Sequence, residues 1–424
     1  MKIIGVDIGT TSVSGVLVDG ENGAVLCART ENHGAFLPAE NEWEKIQDAE
    51  LLLRVATGLI DELITPDTAA IGVTGQMHGI LYFDENGNAV SPLYTWQDGR
   101  GGLAYRDGKS YAEHLSLPVG YGAVSDLYNR ENGLVPATAV GFCTVYDYLA
   151  MRLTGRKTPL VHASSAASVG AYDLDKMMPC YNFGGEHTAS FATVGRYRGI
   201  PVGVPIGDNQ ASVFGALSGD TDALLNFGTG SQISVVSSTP KTGNGIETRP
   251  YVGGKYLLVG AALCGGRAYA LLERFFAETV YLATGKRESA YALLDRIPEA
   301  NGKPIVADTR FSGTRSDSTV TGALSGITTE NFTPAHLKSA FLSGMVEELY
   351  SYFVGMNQTA TRLVGSGNGI RKNSALVKRA EVVFGAPMKI PVHREEAAFG
   401  AALFALVCAG IKTDGEVKSL IRYG

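Results

Sequence analysis

A chain of 424 residues exceeds the usual size of a single hydrophobic core, so two domains are expected. The composition is 45% hydrophobic and 18% charged, and the formal charge of −6 gives no electrostatic footprint for nucleic acid, which calls for a concentrated basic face. No apolar run reaches the roughly 18 residues that span a bilayer, no signal-peptide pattern opens the chain, and the five cysteines form no CxxC pair. These features predict a cytoplasmic, reduced protein with no nucleic-acid or membrane partner, no disulfide framework and no zinc site.

Hydrophobic periodicity in the first half predicts a three-stranded meander followed by helices and a further strand. The predicted elements are strands at residues 2–8, 12–19 and 23–30, a helix at 43–64, a buried strand at 69–76 and a helix at 140–153. The strand at 69–76 leads into the polar and glycine-containing sequence QMHG.

The opening pattern returns in the second half. The predicted elements there are a strand–turn–strand at 223–238, a strand at 255–263, a helix at 270–285, a strand and glycine-rich turn at 361–370, and a small-residue helix at 395–411. Each half begins with a hairpin whose turn contains Gly and Thr. We interpret the repeat as two similar α/β domains, residues 1–205 and 206–424, that face each other across a cleft.

The two glycine–threonine turns are candidate phosphate sites. Residues 9–12 (GTTS) and 228–231 (GTGS) can present backbone N–H groups and hydroxyls to phosphate oxygens, and Asp7 beside the first turn suits a Mg²⁺ that retains water ligands. One such turn is most simply an ordinary β-turn, since Gly and Asp favour turns. Two copies in opposing domains favour a nucleotide triphosphate. The P-loop, dinucleotide-binding and protein-kinase motifs do not occur in the sequence.

The stretch IGDNQASVFGAL at residues 206–217 places Asp208 at the head of an apolar run. A lone buried carboxylate is costly and tends to take up a proton. Asp208 therefore either caps a helix or is retained for chemistry.

Taken together, these motifs resemble the FGGY family of carbohydrate kinases, in the sugar kinase/Hsp70/actin superfamily. DIGTTS resembles the first phosphate motif of that family, NFGTGS the second, and VGSGNGIRKN the adenosine motif; IGDNQASVFGAL and EEAAFGAALFA resemble its two connecting helices. The resemblance implies two actin-like, ribonuclease H-like α/β domains around an interdomain cleft that closes on sugar and nucleotide. Residues 1–205 would bind the sugar and 206–424 the ATP, with Mg²⁺ as the metal.

The resemblance also implies roles for individual residues. Asp208 would be the catalytic base, and Asp7 and Asp208 would hold Mg²⁺ through water. The sugar would contact Gln76, Met77, His78, Trp96, Asp98, Arg100 and Asn209. ATP would contact Gly9, Thr10, Thr11, Ser12, Gly228, Thr229, Gly265, Gly266, Gly367, Asn368 and Asn373.

Several of these residues have a structural alternative. Asp208 can be a plain N-cap, His78 a structural histidine, and Asp98 with Arg100 an ion pair in an exposed turn. Gly265 and Gly266 can serve close packing of a helix on a strand. Gly400 is expected to pack between the domains, and Trp43 in the core.

Three stretches bear on which sugar is the acceptor, because they resemble the sedoheptulokinase branch. They are GVTGQMHGILYF (72–83), YTWQDGR (94–100) and FSGTRSD (311–317). QMHG and Asn209 also resemble xylulokinases. We therefore expect a ketose such as sedoheptulose, with a xylulokinase or another pentulose or polyol kinase as the alternative. An actin-fold protein that senses sugar or nucleotide without catalysis is the alternative from a different class. The architecture also allows a homodimer.

Overall fold

The computed structural model describes residues 1–174, 176, 178–179, 184–243, 245–314, 317 and 319–424. Cys180, and Arg315 and Ser316 of the FSGTRSD stretch, lie outside these residues. Contacts divide the chain into two compact units. Unit 1 comprises Met1–Ser218, Arg249–Tyr256 and Val392–Arg422, and unit 2 comprises Gly219–Thr248, Leu257–Pro391 and Tyr423–Gly424.

The secondary structure of the described residues alternates between strands and helices. The strands are β1 (Lys2–Ile8), β2 (Ser12–Asp19), β3 (Val25–Asn32), β4 (Ile46–Gln47), β5 (Thr68–Gly75), β6 (Leu81–Phe83), β7 (Leu93–Tyr94), β8 (Gly141–Cys143), β9 (Leu160–His162), β10 (Tyr172–Asp173), β11 (Met178–Pro179), β12 (Glu186–Thr188), β13 (Thr193–Tyr197), β14 (Ile200–Gly203), β15 (Asp222–Phe227), β16 (Ser231–Ser237), β17 (Ile246–Pro250), β18 (Tyr256–Ala262), β19 (Val306–Asp308), β20 (Ala323–Ser325), β21 (Arg362–Ser366) and β22 (Met388–Lys389). The helices are α1 (Ala49–Leu63), α2 (Tyr111–Leu115), α3 (Gly122–Glu131), α4 (Val145–Leu153), α5 (Ala163–Ser168), α6 (Asp208–Ala216), α7 (Gly265–Thr284), α8 (Tyr291–Arg296), α9 (Pro334–Met356), α10 (Gly367–Lys372), α11 (Ser374–Phe384), α12 (Glu396–Cys408) and α13 (Asp414–Lys418).

The main sheet of unit 1 has the strand order β13-β14-β5-β1-β2-β3. Strand β1 pairs antiparallel with β2 and parallel with β5, so that Asp7 lies opposite Ser14 on one side and Thr74 on the other. The predicted three-stranded meander is confirmed, with β1 and β2 at their predicted bounds.

Two predicted helices of this unit begin later than expected. Helix α1 starts at Ala49 rather than residue 43 because the Asp48 side chain accepts a hydrogen bond from Leu51 N and caps the first turn. The residues just before this cap, Ile46–Gln47, pair with β7 instead. Helix α4 starts after Thr144, whose hydroxyl caps it, and the preceding Gly141–Cys143 form β8.

The main sheet of unit 2 repeats part of this plan, with the order β17-β18-β16-β15-β21-β22. Strand β15 pairs antiparallel with β16 and parallel with β21, as β1 does with β2 and β5. The predicted repeat of a hairpin led by a glycine turn is therefore confirmed. Strand β17 is an addition that the sequence pattern did not predict.

Within unit 1, the backbone of helix α12 lies in direct contact with the backbones of β1, β5 and α6. A Cβ atom placed on Gly400 would lie 1.8 Å from the Ala211 carbonyl oxygen of α6, and one on Gly5 would lie 1.8 Å from the Ala398 carbonyl oxygen. Gly72 of β5 makes a similar approach to Ala401. Gly400 is thus a packing position, as predicted, but between two helices of unit 1. Within the described residues, no helix is long and apolar enough to cross a membrane.

Substitution of Gly400 by Ala should destabilise the protein, because a methyl group cannot occupy a position 1.8 Å from a carbonyl oxygen without moving α6 or α12. We expect Gly400→Ala to lower the free energy of unfolding by about 3 kcal/mol, or to prevent folding. Gly58→Ala is the matched control, since nothing lies within 4 Å of its Cβ position in α1, and it should gain roughly 0.5 kcal/mol. Urea denaturation of the three proteins measures both effects, and equal stability of Gly400→Ala and wild type would contradict the packing.

Candidate active site

Asp208 is the first residue of α6 and lies in a partly buried position. The N-cap is Gly207, so the interpretation of Asp208 as a plain N-cap is wrong. Its Oδ1 accepts a hydrogen bond of 2.6 Å from Asn209 N. Burial raises the pKa of Asp208 to about 6, while this N–H and the Arg249 charge act in the opposite direction. Asp208 is therefore largely ionised at neutral pH and can accept a proton from an approaching group.

Asp7 carries a carboxyl oxygen, Oδ1, that is buried and has no hydrogen-bond partner. Burial, with the added effect of the negative charges of Asp208 and Glu395, raises the pKa of Asp7 to about 7. Glu395 directly precedes α12 and was not predicted as a site residue, although it belongs to the EEAAFGAALFA motif. Two other carboxyl groups of unit 1 thus act on Asp7, and their negative charges favour a proton or a cation there.

The first glycine turn, residues 9–12, is closed by a hydrogen bond from Gly9 N to Ser12 O of 2.9 Å. Two side chains from other parts of unit 1 fix it. Gln47 Nε2 donates to Thr10 O at 2.7 Å, and Trp96 Nε1 donates to Thr10 Oγ1 at 3.0 Å. Thr11, at the tip of the turn, is exposed. A predicted sugar residue, Trp96, is therefore in direct contact with the predicted phosphate turn.

The QMHG segment follows β5 and lies against the same turn. Gln76 is 3% exposed; its Nε2 donates to Gln47 Oε1 at 2.9 Å, whereas its Oε1 is buried without a partner. Met77 is buried beside Gly207.

His78 adopts a φ of 76°, which is uncommon for a residue with a side chain. Its ring stacks on Tyr121 with centroids 4.4 Å apart, and Nδ1 donates to the Ser168 carbonyl oxygen at 2.6 Å. Because that carbonyl can only accept, the hydrogen of a neutral ring lies on Nδ1 and Nε2 is the acceptor.

Asp98 and Arg100 form an ion pair that is buried, with 1% and 3% exposure, rather than lying in an exposed turn. Arg100 Nε donates to Asp98 Oδ1 at 2.6 Å, and its Nη1 donates to Asn129 Oδ1. Asp98 Oδ2 also accepts from Lys45 N at 3.0 Å. Trp96 is 45% exposed, so its indole is accessible to ligands. The buried ion pair of Asp98 and Arg100 holds the rest of this loop in place. Trp43, expected in the core, is half-buried and edge-on to Tyr128.

In unit 2, the second glycine turn lies directly against the beginning of α7. Gly266 N donates to Gly228 O at 2.8 Å, and Arg267 N donates to Thr229 O at 3.0 Å. A Cβ on Gly265 would lie 2.4 Å from the Gly230 carbonyl carbon. Gly265 and Gly266 therefore serve close packing, which brings the positive end of a 20-residue helix to the turn.

The adenosine motif forms the end of β21 and the short helix α10. Gly367 has a φ of 83°, and a Cβ there would lie 2.7 Å from Phe227 O, so only glycine fits. Asn368 is exposed, and the Asn373 side chain caps α11 by accepting from Leu376 N at 3.1 Å. All predicted ATP residues after Ser12 thus belong to unit 2, whereas the catalytic, metal and sugar residues belong to unit 1.

Comparison with protein families matches residues 2–106 to the N-terminal domain and residues 223–409 to the C-terminal domain of the FGGY family of carbohydrate kinases. The chain belongs to the FGGY family of carbohydrate kinases. Sedoheptulokinase from Mus musculus is 27% identical over 477 residues, covering 95% of this chain and 97% of its own length. Xylulose kinase from Staphylococcus epidermidis is 23% identical, covering 95% of this chain and 87% of its own.

The fold of the solved FGGY kinases is the fold of this one. The crystal structure of a xyloylose kinase from Brucella ovis superimposes with a TM-score of 0.85 at 18% identity, covering 100% of this chain and 94% of that one. These comparisons confirm the predicted family, the two-domain α/β fold and the activity as a sugar kinase. The roles of individual residues stay predictions.

The raised pKa of Asp7 makes the stability of this kinase depend on pH. Between pH 4 and 7 the folded protein retains a proton on Asp7 that the unfolded chain releases, so the free energy of unfolding should fall as the pH rises through this window. In a chelating buffer, the free energy of unfolding of wild type should fall between pH 5 and 8. That of Asp7→Asn should fall by on the order of 2 kcal/mol less. Denaturation at several pH values measures this. Asp107→Asn, an exposed control in a turn, should follow wild type, and identical profiles for Asp7→Asn and wild type would contradict the prediction.

Proposed function

We propose that this kinase transfers the γ-phosphate of ATP to a hydroxyl of a small ketose, with sedoheptulose as the preferred acceptor. The partly exposed carboxylate of Asp208, beside Asp7 at the glycine-capped start of α6, is the observation that carries the proposal. The choice of sugar is supported by the similarity to a sedoheptulokinase along nearly the full length of both chains. A cytoplasmic location and a homodimer remain predictions.

Asp208 would act as the general base. As the sugar oxygen forms its bond to the γ-phosphorus, the bond from that phosphorus to the bridging oxygen of ADP breaks, and the hydroxyl proton passes to Asp208. A pKa of about 6 leaves the carboxylate ionised at neutral pH yet basic enough to accept that proton. General-base assistance of this kind contributes a factor of about 10²–10⁴, with alignment of the reactants contributing more.

The residues around Asp7 fit Mg²⁺. Its buried, unpartnered Oδ1 and the neighbouring charge of Asp208 favour a cation. One or two carboxylates suit Mg²⁺, which keeps several waters. When bound, Mg²⁺ would neutralise phosphate charge, and Asp7 and Asp208 would orient its waters.

The nucleotide would be bound by backbone rather than by charged side chains. In unit 1, the turn at residues 9–12 would contact phosphate oxygens through the N–H groups and hydroxyls of Thr10, Thr11 and Ser12. In unit 2, Gly228, Thr229 and the positive end of α7 would do the same. Gly367, Asn368 and Asn373 would border the adenosine.

The acceptor sugar would be recognised by the QMHG segment, Asn209 and the Trp96 loop. Gln76 Oε1 and His78 Nε2 are acceptors for sugar hydroxyls, and the exposed indole of Trp96 suits a sugar face. Asp98 and Arg100 would support this loop through their buried ion pair rather than touch the sugar.

A coupled assay of ADP release over C5–C7 ketoses, polyols and aldonates tests the proposed substrate class. We expect the highest kcat/KM for sedoheptulose, with D-xylulose second, and slow ATP hydrolysis without sugar because the base then has no aligned alcohol. A higher kcat/KM for a polyol or an aldonate would overturn the choice of sugar, and absence of turnover with every compound would favour a sensor.

Replacement of the proposed base separates catalysis from binding. Asp208→Asn should lower kcat by about 10²–10⁴ while leaving the affinity for ATP and sugar within a few-fold, because the amide keeps the shape of the side chain but cannot accept the proton. Steady-state kinetics and calorimetric binding measure the two properties. Asp107→Asn should retain wild-type turnover. Full activity of Asp208→Asn would exclude the assigned role.

A further inference from the structure

A buried arginine lies next to the Asp208 turn and has no assigned role. Arg249 is the fourth residue of β17 and is 7% exposed. Its Nη1 donates to Asn209 Oδ1 at 3.0 Å. The buried guanidinium therefore contacts the residue that directly follows the proposed base, Asp208.

The chemistry of this hydrogen bond fixes the orientation of Asn209. A guanidinium carries only donors, so the amide of Asn209 must turn its oxygen towards Arg249. Its NH₂ group, with two donor hydrogens, is therefore directed away from the arginine. Asn209 is partly exposed and follows Asp208 directly, so its side chain is open to a ligand at the start of α6.

A second contact joins the same two segments. Gln210 Nε2 donates to Pro250 O at 3.4 Å, so consecutive residues of α6 bond to consecutive residues at the end of β17. The positive charge of Arg249 also opposes the effect of burial on the pKa of Asp208. The end of β17 thus orients the first turn of α6 and stabilises the ionised carboxylate there.

We propose that Arg249 is a positioning residue for sugar recognition, which holds the Asn209 amide so that its NH₂ group donates to an oxygen of the acceptor sugar. This rests on the proposed function, in which Asp208 and Asn209 face the sugar. The sugar oxygen that is recognised must be an acceptor, such as a hydroxyl or the ketose carbonyl, because the amide offers only donors on that side.

The prediction for single variants is a selective loss of sugar affinity. At pH 8.5, Arg249→Met and Asn209→Ala should each raise the KM for sugar by about tenfold, the effect of one lost hydrogen bond to a charged or positioned group. The KM for ATP should stay within about twofold, since the predicted nucleotide residues lie in the first glycine turn and in unit 2. Arg249→Lys should recover part of the sugar affinity, because it retains one donor. Arg54→Met, an exposed arginine of α1, is the matched control and should behave as wild type.

The double variant decides whether the arginine acts through Asn209. If it does, Arg249→Met combined with Asn209→Ala should raise the sugar KM no further than either change alone. If the rise in sugar KM of the double variant equals the product of the two single rises, the proposal is overturned in favour of a general structural role. A rise in the KM for ATP as large as that for sugar would overturn it in the same way. Thermal unfolding of each variant identifies loss of fold, and Arg249→Lys keeps the test valid if Arg249→Met does not fold.

The outcomes also separate this inference from the proposed function. If wild type phosphorylates no sugar, the proposed function fails and so does the inference that rests on it. If wild type phosphorylates a ketose and Arg249→Met has the wild-type KM for it, the role of Arg249 alone is excluded.

Discussion

The backbone-to-backbone packing of helix α12 against strands β1 and β5 and against helix α6 is the constraint on which the candidate active site depends. Glycines at positions 5, 72 and 400 permit it, because any side chain there would collide with a carbonyl oxygen. Asp7 is near the end of β1, Asp208 begins α6, and Glu395 directly precedes α12. The packing that joins these elements therefore also brings the three carboxyl groups near one another.

This arrangement is unfavourable for the isolated protein and useful for a phosphotransferase. Burial raises the pKa values of Asp7 and Asp208, and neighbouring negative charges raise that of Asp7 as well, so ionising these groups costs the folded chain free energy. A divalent cation or a transferred proton reduces that cost. Functional sites are where proteins most often give up stability in this way. Arg249 offsets part of the cost at Asp208 alone, which leaves Asp7 as the group most in need of a cation.

Sequence patterns predicted the parts of this structure that depend on local periodicity and missed those that depend on distant partners. Strands β1 and β2 have either alternating apolar and polar residues or a continuous apolar run, and their bounds were predicted to the residue. The segment IETRP has no such period, so β17 and its Arg249 were missed. The first helix was placed too early because its start is determined by one capping bond of Asp48 rather than by hydrophobicity. Burial of Asp98 and Arg100 depends on Asn129, which no local pattern connects to them.

The central claim is that the carboxylates gathered by this packing promote phosphate transfer to a sugar hydroxyl. Phosphorus NMR of the reaction mixture tests it most directly, because it identifies the product as well as the loss of ATP. With wild type, Mg²⁺, ATP and sedoheptulose, we predict one new phosphomonoester resonance that grows in equal amount with ADP. Growth of inorganic phosphate in place of a sugar ester, with this and every other ketose, would contradict the account.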